Sequence, residues 1–146
     1  MDDPQADRTE ELLSHVLVPV ANESDAQATA AALAPYDPAH VTVVHVVEKG
    51  EGVPDKTPVE QSKEIAAASY AAVRTVFPDA DDHTAYARDV AEAIFDAAEK
   101  VDASAIAYRA RDGNRVMRFL SGDLSLRLVT QADRPVIALP RVDRNE

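Results

Sequence analysis

Apolar positions along this chain come in two rhythms. Short unbroken runs alternate with longer stretches in which apolar residues recur every three or four positions. His15-Val-Leu-Val-Pro-Val20 is a continuous run of the length of a buried parallel strand. Asn22-Glu-Ser-Asp25 supplies capping side chains for a helix over Ala26 to Leu33, which Pro35 stops. Val41-Thr-Val-Val-His-Val-Val47 is rich in β-branched residues and predicts a second strand. Lys49 to Pro58 holds two glycines and two prolines and reads as an exposed loop. A helix follows over about Val59 to Val76, with Ile65, Ala68, Ala72 and Val76 spaced for one buried stripe, and Pro78 ends it.

The alternation continues to the end of the chain. A third strand near His83 to Ala87 leads to Asp89, an N-cap for a helix burying Val90, Ile94 and Ala97 or Ala98. Ala103 to Tyr108 predicts a fourth strand, Asp123 to Ala132 an amphipathic helix and Val136 to Leu139 a fifth strand. Five strands alternating with four helices imply a doubly wound, Rossmann-like α/β domain with a parallel sheet and helices on both faces.

Composition narrows what such a domain does. Its 146 residues suit one domain over 13–146, with residues 1–12 a loose tail and no internal repeat or dividing linker. Without cysteine, the chain has no disulfide, thiolate metal site or thiol nucleophile. The acidic start Met1-Asp-Asp-Pro-Gln-Ala-Asp7 is unlike a signal peptide, and no apolar run approaches the roughly 20 residues that cross a bilayer. The expectation is a cytoplasmic protein with no membrane partner. A net charge of -11 argues against nucleic acid, which needs a basic footprint. Arginine outnumbers lysine 11 to 4 and the apolar residues lean toward alanine and valine, the combination expected of a halophilic cytosol.

Three stretches resemble the universal stress protein family, in the right order and at the right separations. Val16-Leu-Val-Pro-Val20 is similar to its opening strand and Asp89-Val-Ala-Glu-Ala-Ile94 to the start of its third helix. Gly122-Asp-Leu-Ser-Leu-Arg-Leu-Val129 with Arg134-Pro-Val-Ile137 is similar to its closing helix and strand. The resemblance, of haloarchaeal type by composition, spans His15 to Arg141 and implies a sheet in the order 3-2-1-4-5. Ligands of such sheets bind at the carboxyl ends of strands where the order reverses. Here those ends are Pro19-Val20-Ala21 and Tyr108-Arg109-Ala110, with Val46 at the end of the second strand.

ATP-binding members of the family carry an acid after the first strand and then G-x-x-G-x9-G-[ST]. In this chain Ala21 takes the place of the acid, Arg109 and Asp112 those of the first two glycines, and Asp123 that of the Ser or Thr. Gly122 is kept and Gly113 falls one place late. Arginine and aspartate give up the positive φ and the free space of glycine, so a close phosphate cradle is not expected. An Asp at a helix N-cap also satisfies a donor that would otherwise favour an anion. Against this stand Arg109, Arg111, Arg115 and Arg118, whose guanidinium groups bind phosphate bidentately or pair with nearby carboxylates. Candidate binding positions are therefore Pro19, Val20, Ala21, Val46, Arg109, Ala110, Arg111, Asp112, Arg115, Gly122, Asp123, Leu124 and Ser125.

No nucleophile meets a base in this pattern, and no Walker loop, G-x-G-x-x-G, H-E-x-x-H or G-x-S-x-G occurs. His15, His40, His45 and His83 share no metal-ligand spacing, and His45 reads as a satisfied core or cleft histidine. Tyr108, Met117 and Phe119 read as packing residues. The expected function is a regulatory or interaction module with an unidentified protein partner, no cofactor, and a homodimer built on Val136, Ile137, Ala138 and Leu139. The alternative is a nucleotide-binding protein taking ATP with Mg through its arginines. An enzyme of the wider adenine-nucleotide α-hydrolase-like group has the least support, for want of the glycine-rich grip.

Overall fold

The structure is a computed structural model that describes residues 11–48, 58–109 and 122–140. Its elements are β1 (Val16–Pro19), α1 (Glu23–Leu33), a 3-10 turn (Ala34–Tyr36), β2 (Val41–Glu48) and α2 (Pro58–Arg74). Then come β3 (Asp81–Ala87), α3 (Val90–Lys100), β4 (Ala105–Arg109), α4 (Gly122–Gln131) and β5 (Val136–Leu139). All strand pairings are parallel, in the order β3-β2-β1-β4-β5. This is the doubly wound α/β sheet expected from the alternating pattern.

Alternating side chains of the central strands feed two cores. Val16, Val18, Val41 and Val43 pack with Ala26, Leu33, Tyr70 and Val73 of α1 and α2. On the other face Leu17, Val44, Val46 and Ile106 pack with Ile94 and Ala98 of α3 and Leu128 of α4. A sheet covered on both faces needs the near-continuous apolar strands seen here. Each fully buried Leu or Ile contributes about 1.5–3 kcal/mol.

Several boundaries move. Asn22 is the N-cap of α1, accepting from the Asp25 amide at 2.9 Å, so the helix begins at Glu23 rather than Ala26. β3 begins at Asp81, two residues before His83, because Arg74 holds its start: Nε donates to the Ala80 carbonyl at 2.9 Å and Nη2 to Asp82 at 2.8 Å. In α2 the stripe is rotated from the expected one. Ile65 and Val76 are 39% and 36% exposed, while Ala66, Ser69, Tyr70 and Val73 are buried with Ala72. The Tyr70 hydroxyl decides this phase by reaching the His83 carbonyl at 2.9 Å and the Thr84 hydroxyl on β3.

The outer strands β3 and β5 differ in kind. β3 opens on exposed Asp81 and Asp82, whereas β5 is Val-Ile-Ala-Leu with only Ala138 exposed. Among the described residues no helix is long and apolar enough to cross a membrane.

Candidate functional site

The chain winds from β1 outward to β3, then returns to the other side of β1 as β4 and β5, so the order reverses between β1 and β4. Crossovers leave in opposite directions there and open a crevice at the strands' carboxyl ends. Pro19 is the last residue of β1, followed by buried Val20 and Ala21; Val46 is buried on β2 and Arg109 ends β4.

At the β1 end of the crevice the backbone polar groups of Val20 and Ala21 are paired within the chain. The Val20 amide donates to the Val44 carbonyl at 3.0 Å, extending the pairing of β1 with β2. His45 Nδ1 donates to the Val20 carbonyl at 3.2 Å, which places the proton on Nδ1 and makes His45 the satisfied buried histidine expected. Burial lowers its pKa, opposed by that carbonyl bond. The Ala21 amide donates to Asp25 Oδ2 at 2.8 Å, and the Thr29 hydroxyl lies 3.5 Å from the other carboxylate oxygen. Asp25 is 1% exposed. Its carboxylate is thus turned inward onto the amide just after β1, while Asn22 does the capping. Read in sequence as one of several capping side chains, Asp25 was not singled out. The available signal was an acid four residues after Ala21, within reach of that amide.

On the β4 side, Arg109 is half-buried and its buried Nε has no hydrogen-bond partner among the described residues. Ala110, Arg111, Asp112 and Arg115, with Arg118, Met117 and Phe119, lie outside the described residues. α4 begins at Gly122, so Asp123 is its second residue, inside the first turn rather than at the cap. Leu124 is buried in the core and Ser125 is half-buried. Tyr108 is buried in the α3–α4 core as a packing residue.

Helices α1, α3 and α4 all begin at this carboxyl edge, and their N-termini favour negative charge. Each carries acids in or beside its first turn: Glu23 and Asp25 on α1, Asp89 and Glu92 on α3, Asp123 on α4. Asp89 caps α3 through the Glu92 amide at 3.2 Å and accepts from Arg127 Nη1 of α4 at 2.8 Å. That guanidinium bond is the main reason its carboxyl pKa is lowered. Among the described residues no group of three or more His, Asp or Glu is placed to hold a metal. Among the described residues, the starts of α1 and α3 are already matched to the protein's own carboxylates, and the buried Arg109 Nε has no hydrogen-bond partner.

Comparison with known proteins agrees with this fold. No curated protein matches the sequence significantly. A universal stress protein from Archaeoglobus fulgidus superposes with a TM-score of 0.68 at 21% identity, over 87% of this chain and 98% of that one. The Archaeoglobus fulgidus universal stress protein in complex with dAMP gives 0.65 at 22% identity, over 88% and 99%. A universal stress protein in complex with cAMP gives 0.61 at 11% identity, over 89% and 98%. The model of the universal stress protein family matches residues 13–140, nearly the whole domain, and the chain belongs to that family.

Proposed function

We propose that this chain is a regulatory or interaction module of the universal stress family whose nucleotide site is degenerate. The observation that carries the reading is the Asp25 carboxylate on the Ala21 amide: the position after β1 lacks its acid, and the amide there is already satisfied from within. Arg109 and Asp112 replace two loop glycines, and Asp123 adds a carboxylate to the first turn of α4. A carboxylate about 4 Å from a phosphate oxygen repels it by roughly 4 kcal/mol at an effective dielectric of 20. These residues do not fit a triphosphate cradle, and no catalytic step is assigned. The module works as a cytoplasmic, salt-adapted homodimer with a protein partner.

A second reading has its own support. Arg109 presents a buried Nε without a partner among the described residues, and two relatives are complexes with dAMP and cAMP. In that reading the arginines substitute for the glycine cradle and the site takes Mg-ATP.

Calorimetry with Mg-ATP in molar KCl separates the two. The expected result is no binding to the wild type up to about millimolar ligand, and measurable binding after Arg109→Gly, Asp112→Gly and Asp123→Ser are combined. Micromolar affinity in the wild type would establish the arginine cradle instead.

A further inference from the structure

We propose that His15 and His40 form a proton-operated clasp at the amino edge of the sheet, closed while His15 is neutral and opened when it takes up a proton. The two rings meet edge-on, with centroids 4.7 Å apart and planes at 63°. Each residue immediately precedes a strand, His15 before β1 and His40 before β2, so their contact joins the entries of two neighbouring strands. His15 Nε2 lies 2.7 Å from the hydroxyl of buried Thr42 on β2. His40 Nε2 donates to the carboxylate of Asp81, the first residue of β3, at 2.8 Å. One ring contact and two hydrogen bonds therefore span three strands.

The backbone nearby depends on the same edge. The Val16 amide donates to the His40 carbonyl at 2.9 Å, and the Ala39 amide donates to the Leu13 carbonyl at 2.8 Å. Ser104, before β4, donates to the Leu12 carbonyl at 2.8 Å and accepts from the His15 amide at 2.9 Å. Separating the rings loosens the segment from Leu12 to Val16 and leaves the crevice at the opposite edge untouched.

The charged groups facing His15 are His40, Asp81 and Asp102; His40 faces Asp81 and shares the wall of a surface cavity of about 190 Å³ with Asp79. That cavity brings solvent to His40. Burial, then repulsion from His40, lowers the His15 pKa, while Asp81 and Asp102 pull the other way more weakly. The Asp81 side chain is 70% exposed, so water screens its attraction. Because the folded chain binds this proton less readily than the unfolded one, the closed clasp contributes fully above the ordinary histidine value of 6.5 and is lost as pH falls below it. His45, also lowered by burial, lies at the carboxyl edge and has to be distinguished.

Ring titration by NMR on the full chain in molar KCl, from about pH 8 to about pH 5, makes that distinction when amide exchange is followed in parallel. His15 should titrate below its ordinary value and move upward in His40→Gln. As His15 titrates, the protection factors of the Val16 and Ala39 amides, corrected for the pH dependence of intrinsic exchange, should fall about tenfold, while that of the Val20 amide does not. His15→Gln should abolish that pH-dependent loss of protection and His45→Gln should leave it intact. A His15 that titrates at its ordinary value, or is unmoved by His40→Gln, would overturn the clasp. So would equal loss of protection at both edges.

Discussion

The Asp89 carboxylate accepts from the Glu92 amide at the start of α3 and from Arg127 of α4, so one side chain caps a helix and holds its neighbour. With its pKa lowered, chiefly by Arg127, this contribution is present above the ordinary aspartate range and is lost as pH falls through it. Asp89→Ala removes both bonds and should cost about 1–2 kcal/mol in urea unfolding. Asp89→Asn keeps a good cap and loses only a half-exposed ion pair, so it should cost less than about 1 kcal/mol. Equal costs would show that the cap contributes nothing. The cap was legible, since an Asp stood just before an apolar-periodic stretch; Arg127, 38 residues away, carried no local sign of the pairing. Asp25 was hidden for another reason. Acids are rarely buried unless paired, so an acidic run at a helix start reads as solvated.

Among the elements, the alternation of strands and helices was legible throughout, because periods of 2 and 3.6 are set by backbone geometry. The phase of α2 was not. Its alanines allow two stripes, and the chosen one put Ile65 and Val76 inside; the true stripe includes Ser69, which hides its hydroxyl on the Ile65 carbonyl, and Tyr70, whose polar tip finds β3. β5 carries an expectation of its own. An outer strand of Val-Ile-Ala-Leu leaves backbone groups to be paired, and Leu126 and Val129 on neighbouring α4 are 60% and 51% exposed. A second copy pairing across a two-fold would cover them. Sedimentation equilibrium in molar KCl should give twice the 15.7 kDa chain mass at high micromolar concentration. A species at the single-chain mass would rule the pairing out.

For the molecule as a whole, 26 acids against 15 bases make self-repulsion the dominant long-range term at low ionic strength. The Debye length falls from about 10 Å at 0.1 M salt to about 3 Å at 1 M, so the melting temperature should climb steadily with KCl up to about 2 M. A flat response would remove the case for salt adaptation. The reversal of strand order between β1 and β4, where a crevice is expected, was legible because the family resemblance implies the order 3-2-1-4-5. Its chemistry was only partly legible, since amide partners and buried carboxylates are settled by tertiary contact.

The inequality of the two outer strands would limit how large an assembly joined through them could become. Were both rims of the sheet uncharged, copies could stack rim to rim without end, and concentration alone would drive fibres. Asp81 and Asp82 stand at one rim, so a second chain bringing the same two acids there is turned away. Were copies to pair through β5, a two-fold contact would use that side up on both molecules at once. On that arrangement the sheet would end its own growth after a single joining step, even at high protein concentration.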